Sequence, residues 1–167
     1  MSVKVLVRYA IFLALAVIAS YIEHIVPLPF LFPGAKLGLA NAIGLIILYI
    51  YGKEKYIVFG LLRVLLNALL FSGFGTTFLI SLGGNLFASL ITVLLISINK
   101  KVSIYGLSVN GAIFHGIGQV VVVAIIYQTI QMFNYLVILT ISGIISGILM
   151  AIVINLLIKK LPKSILN

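Results

Sequence analysis

The sequence predicts an all-α integral membrane protein, a single six-helix transmembrane domain over residues 1–167 with both termini cytoplasmic. Three observations predict it. Of the 167 residues, 63% are hydrophobic and 8% are charged, whereas a soluble domain carries about a quarter charged residues. The apolar residues fall in long runs without period-2 alternation. Backbone in hydrocarbon must satisfy its own hydrogen bonds, and runs of this kind do so as helices rather than barrel strands. Finally, the basic residues gather at alternate ends of the runs, as membrane topology requires.

Taken in order, the first run covers residues 5–22 and follows Lys4 and Arg8. A basic start before an apolar run also suits a signal peptide, but the spanning segments behind it predict a retained first helix. Residues 23–36 form the one long connection, with Glu23, His24, Pro27, Pro29 and Pro33. The second and third runs, 37–51 and 56–72, are short, which suits helices that tilt little or stop below the interface. The fourth, fifth and sixth cover 77–98, 107–128 and 132–158, with brief connections and neither a linker nor an internal repeat.

Orientation follows from the ends. Lys4 and Arg8, Lys53 and Lys55, Lys100 and Lys101, and Lys159, Lys160 and Lys163 share one side. The opposite side holds Lys36 alone, and Arg63 lies inside the third run. The lysine-rich side is therefore cytoplasmic and the 23–36 connection faces outward. The formal charge of +9 is thus a topology signal rather than a nucleic-acid footprint.

Several chemistries are excluded by composition. No cysteine is present, which removes disulfides and thiolate metal sites. Glu23 and Glu54 are the only acids, so no paired carboxylates are available for acid–base work or for holding metals. No glycine-rich loop ends in Lys-Ser or Lys-Thr, so the usual phosphate cradle for ATP is missing. The chain reads as a non-enzyme without cofactor or metal, and energy for any transport must come from a partner or a gradient.

The informative residues are the polar ones in the apolar runs, which are costly in lipid and face a bundle interior. Arg63 and Asn67, Ser81 and Asn85, and His115 and Gln119 are i, i+4 pairs, each on one helix face. Asn41 lies a little over one turn beyond Lys36. With alternating topology, Asn41, Asn67, Asn85 and Gln119 fall at similar depth on the outer side, as expected of a cavity below the proline-rich connection. The alternative is interhelical hydrogen bonding, worth on average about 0.6 kcal/mol per bond. Lys36, near a helix start whose free N–H groups favour anions, reads as an anion contact or as a lysine snorkelling to headgroups. Arg63 reads as a ligand contact, or as a side chain that snorkels inward or binds carbonyls. His115 reads as a ligand contact or a satisfied structural histidine. Glu23 and His24 start the outer loop and line its mouth or are simply solvated.

Small residues form a second pattern. Ala10, Ala14, Ala16, Ala19 and Ser20 smooth the first helix, and Ser142, Gly143, Ser146 and Gly147 the sixth; such spacing lets helices approach closely. For the sixth helix packing within the chain is the expectation. For the first, docking to another subunit and internal packing stand equal.

Four blocks together resemble a known family: Pro33-Gly34-Ala35-Lys36-Leu37-Gly38-Leu39-Ala40-Asn41, Leu62-Arg63-Val64-Leu65-Leu66, Ser81-Leu82-Gly83-Gly84, and Gly111-Ala112-Ile113-Phe114-His115-Gly116-Ile117-Gly118-Gln119. They resemble the Gx transporter family, also called heptaprenyl diphosphate synthase component I, which is similar to the substrate-binding S-components of energy-coupling factor (ECF) transporters. Gly116 stands where that family often has Asn. The resemblance implies a six-helix S-component-like bundle with a loop-capped outward pocket. It implies as partners a transmembrane coupling protein, which would meet Ala10 and Ala14, and two ATPase subunits. The synthase name implies association with a prenyl diphosphate synthase, since the acids for that chemistry are missing here.

The expected function is therefore substrate capture, in the cell membrane, for an ECF-type importer. The ligand expected is a small anionic or amphiphilic molecule such as an isoprenoid or quinone precursor. Lys36, Asn41, Arg63, Asn67, Asn85, His115 and Gln119 are the candidate contacts. The alternatives are a noncatalytic membrane component of a heptaprenyl diphosphate synthase and a solitary gradient-driven carrier.

Overall fold

A computed structural model describes residues 2–25 and 37–160, and its regular structure is helical. Lys36, Lys163 and the prolines of the connection lie outside the described residues. Helix α1 runs Val3–Ile25, α2 Leu39–Asn67, α3 Thr76–Ile98, α4 Ile104–Ile126 and α5 Leu136–Lys160. The hydrogen-bonding of α2 widens to a π turn at Ala68–Ser72, and a 3-10 turn at Ile130–Tyr135 leads into α5. Among the described residues, five helices are long and apolar enough to cross a membrane. Six were expected from the sequence. The difference lies in α2, which takes up both the second and third predicted segments.

That element is not a straight rod. In an unbroken helix Asn41 and Arg63 would stand about 33 Å apart, yet their side chains are hydrogen-bonded at 2.9 Å. The reversal falls at Gly52, with φ 83° and ψ −176°, a region of backbone space that essentially only glycine occupies. The two limbs then lie against each other. A Cβ on Gly44 would sit 3.3 Å from the Tyr56 ring, and Phe59, Ile47 and Ala40 are buried together with Tyr9 and Ala16 of α1.

The remaining helices pack in antiparallel pairs through small residues. A Cβ on Gly118 of α4 would stand 2.5 Å from the Gly83 carbonyl oxygen of α3, and Gly111 approaches Thr92 further along. Between α4 and α5, Gly147 meets Val109, Gly143 meets Ala112, and Gly116 meets Leu139. The small face of α5 thus packs inside the chain, in the close-approach mode of membrane helices. Outward positions carry the opposite chemistry. Leu90, Ile125 and Val137 are 70%, 70% and 66% exposed, which suits hydrocarbon as solvent.

Charge separates along the bundle. Lys53 Nζ donates to Ser97 Oγ at 2.8 Å, and the Tyr9 hydroxyl donates to the Lys55 carbonyl at 2.8 Å. The start of α1, the Gly52 reversal and the end of α3 therefore share one end. The antiparallel pairings bring the start of α4 and the end of α5 to that end too. Every described Lys and Arg except Arg63 gathers there. At the opposite end Tyr21 stacks on Phe71, ring centres 4.3 Å apart.

Candidate functional site: a polar cavity closed by Arg63

All five helices contribute to a cavity of about 160 Å³. Its rim is exposed and includes Tyr21, His24, Phe71 and Thr77, at the end away from the lysines. Its inner wall is buried and includes Arg63, Gly116, Ser142 and Ser146. Asn41, Asn67, Ser81, His115 and Gln119 also line it. Residues that stand far apart in sequence thus meet because the α2 reversal and the glycine-lined α3–α4 and α4–α5 contacts bring their helices together.

Arg63 is 6% exposed. Its Nη1 donates to Asn41 Oδ1 at 2.9 Å and its Nη2 to Asn85 Oδ1 at 3.2 Å. The geometry departs from snorkelling toward the lysine-rich end and agrees with binding to carbonyl oxygens: two neutral amide oxygens from separate segments hold the guanidinium in the bundle. A charge so placed is costly unless paired, and among the described residues those two amides are its hydrogen-bond acceptors. Its Nε remains without an acceptor. Asn85 does not line the cavity; it stands behind Arg63, wedged against Gly60, whose Cβ would come within 2.6 Å of Asn85 Oδ1.

Further polar atoms await partners. Asn67 Oδ1 and Ser142 Oγ are buried without one, and both residues line the cavity. Leaving such groups unsatisfied costs about 1–3 kcal/mol each, so buried groups of this kind call for water or a ligand.

Glu23 and His24 occupy the last turn of α1 rather than the start of a loop, because that helix continues to Ile25. Glu23 Oε1 accepts from the backbone N–H groups of Gly38 at 2.7 Å and Leu39 at 2.8 Å. The N-terminal amides of α2, which the sequence reading offered to an outside anion, thus bond to the protein's own carboxylate. Periodicity could not reveal this, but one signal was present. Gly38 precedes α2 with no side-chain cap, and orphan amides at a helix start demand an acceptor. Ser142 and Ser146 were also missed as cavity residues; their spacing with Gly143 and Gly147 was read as packing alone, and it serves both.

Ala10 and Ala14 lie on an exposed face of α1, while Ala16 is buried. Among the described residues no group of three His, Cys, Asp or Glu comes together as a metal site would need.

Apolar helices of membrane-spanning length, packed around a polar cavity with a buried cation, are those of a multi-pass membrane protein. The chain belongs to the heptaprenyl diphosphate synthase component I family, whose model matches residues 12–157. No curated protein and no solved structure matches it.

Proposed function

We propose that the chain is the membrane-embedded substrate-binding subunit, of the S-component kind, of an ECF-type ATP-dependent importer. Its ligand is a small anionic or amphiphilic molecule, such as an isoprenoid or quinone precursor. The observation that carries this reading is the cavity itself. It combines a rim at the lysine-poor end with a buried, amide-held Arg63 that lacks a carboxylate among its hydrogen-bond partners. In this reading the two limbs of α2 each cross the bilayer, giving six crossings. The lysine-rich end and both termini are cytoplasmic by the distribution of basic residues, and the membrane is the cell membrane. Arg63 takes the ligand's charge, Asn41 and Asn85 hold Arg63, and Asn67, His115 and Gln119 line the wall. Lys36 is assigned to the mouth on sequence alone.

Transport by such a subunit needs a transmembrane coupling protein and ATPases, and the exposed Ala10 and Ala14 offer the smooth surface for the former. The test is copurification from gently solubilised membranes, with native mass spectrometry for a retained small molecule. Coupling protein and ATPases in the complex, with ATP-dependent uptake in liposomes, support the reading; uptake by the isolated chain without ATP contradicts it.

A second reading is favoured by the family's name: a noncatalytic membrane component that partners a prenyl diphosphate synthase. Two acids in the whole chain leave that chemistry to the partner. Recovery of a prenyl synthase without coupling protein or ATPases selects this reading over the first.

A further inference from the structure

We infer that the cavity takes a compact, singly charged carboxylate carrying a hydrogen-bond donor, with Arg63 as its counter-charge, rather than a diphosphate or a prenyl chain. This rests on the substrate-binding reading above and names the chemistry of its ligand.

Charge sets the first limit. Arg63 is the one Lys or Arg among the described residues that line the cavity, and Glu23 lines it as well. A carboxylate is neutralised by a single guanidinium. A diphosphate brings at least one further negative charge into a low-dielectric site, and an uncompensated buried charge is strongly unfavourable. The Glu23 carboxylate, which accepts from the Gly38 and Leu39 amides, lines the same cavity and acts alike on either anion.

Geometry sets the second. Each Arg63 terminal nitrogen donates one of its two hydrogens to an amide oxygen, at 2.9 and 3.2 Å, and Nε–H has no acceptor. The guanidinium is thereby fixed with donors to spare, and its planar fork matches the two oxygens of a carboxylate. Asn67 Oδ1 is an acceptor without a donor, so the complementary ligand carries an O–H or N–H. Ser142 Oγ, also without a partner, takes either role.

Volume sets the third. The cavity holds about 160 Å³, and one of about 150 Å³ accepts a benzene ring. There is room for a six-membered ring or a short chain. A seven-unit prenyl tail exceeds that volume and would have to leave through the rim, where Tyr21 is stacked on Phe71.

The test is ligand binding to the purified full chain in lipid nanodiscs, read by calorimetry and thermal shift. The probes are 4-hydroxybenzoate, 3-hydroxybenzoate and hexanoate. They are set against the neutral isostere 4-hydroxybenzamide, isopentenyl diphosphate and farnesyl diphosphate. At least one carboxylate binds saturably, and the amide binds about 10- to 100-fold more weakly, the range of a lost charge-assisted bond. Neither diphosphate displaces the acid. Arg63→Gln loses binding by the same factor, and Lys100→Gln, exposed at the lysine-rich end, does not. The comparison of acid with amide on the unaltered protein stands even where Arg63→Gln fails to fold.

Equal binding of acid and amide, or no binding by any of the carboxylates, overturns the inference. So does retention of acid binding in a folded Arg63→Gln. Saturable binding of isopentenyl diphosphate, or a neutral molecule retained in native mass spectrometry, overturns it too, but leaves the substrate-binding reading standing. Absence of any bound small molecule together with absence of coupling partners removes both.

Discussion

Gly60→Ala probes the support of the buried guanidinium without touching either partner. Gly60 lies in the second limb of α2, and a Cβ there would stand 2.6 Å from Asn85 Oδ1 and 2.9 Å from Asn85 Nδ2. Something must move, and the crowded group is the amide that accepts from Arg63 Nη2 at 3.2 Å. Losing a hydrogen bond to a charged group costs about 1.5–3 kcal/mol. Alanine in place of glycine inside a helix returns about 1 kcal/mol. The net expectation is a loss of about 0.5–2 kcal/mol. In an Asn85→Ala background the obstructing amide is gone. The same methyl then enters freed space, and only the helix-propensity gain of about 1 kcal/mol remains. The sign of the effect therefore reverses between backgrounds, with a coupling of about 1.5–3 kcal/mol. Equilibrium unfolding in mixed micelles of the four proteins of the cycle measures it. A stabilising Gly60→Ala in the parent protein, or the same effect in both backgrounds, would refute the claim that Gly60 exists to seat Asn85 on Arg63.

Other positions give independent checks. Gly52→Ala forces a side chain onto φ 83° and ψ −176° and should cost about 1–3 kcal/mol in the same assay. Gly75→Ala, at φ −85° with nothing within 4 Å of its Cβ, should stay within about 0.5 kcal/mol. Glu23→Ala removes the acceptor of two α2 amides, and a loss of about 1–2 kcal/mol is expected, as for other helix caps; an unchanged unfolding midpoint would mean that those amides need no carboxylate. Leucine at Ala10 and Ala14, both exposed, should leave the isolated chain's stability within about 0.5 kcal/mol while abolishing recovery of a coupling protein. Recovery undiminished would put that contact elsewhere.

Much of the architecture was legible because lipid imposes simple rules. Each long apolar run marked a helix, and the clusters around Lys4, Lys53, Lys100 and Lys159 marked one end of the bundle. The break between the second and third runs was drawn around Lys53, Glu54 and Lys55, and the chain turns at the adjacent Gly52. Of the i, i+4 pairs, Arg63, Asn67, Ser81, His115 and Gln119 line the cavity, while Asn85 stands behind Arg63. What they could not give is which faces meet. Arg63 reaches Asn41 and Asn85, each 22 residues away, and helical periodicity carries no information over that span. Arg63 stayed ambiguous for that reason. Snorkelling and internal pairing differ by the location of other helices, not by anything local. Glu23 was misplaced because the three prolines after it suggested an earlier stop, while α1 continues to Ile25.

The central claim is that polar side chains from separate helices surround one cavity reached from the end opposite the lysines. The chain has no cysteine, so single replacements report accessibility without background. Asn67→Cys, Gln119→Cys and Ser142→Cys should react with a small, membrane-impermeant thiosulfonate added outside intact cells, while Leu90→Cys and Ile152→Cys, exposed on the bundle's outer surface, should not. Failure of all three to react in folded protein, or reaction no faster than at Leu90→Cys and Ile152→Cys, would contradict the account.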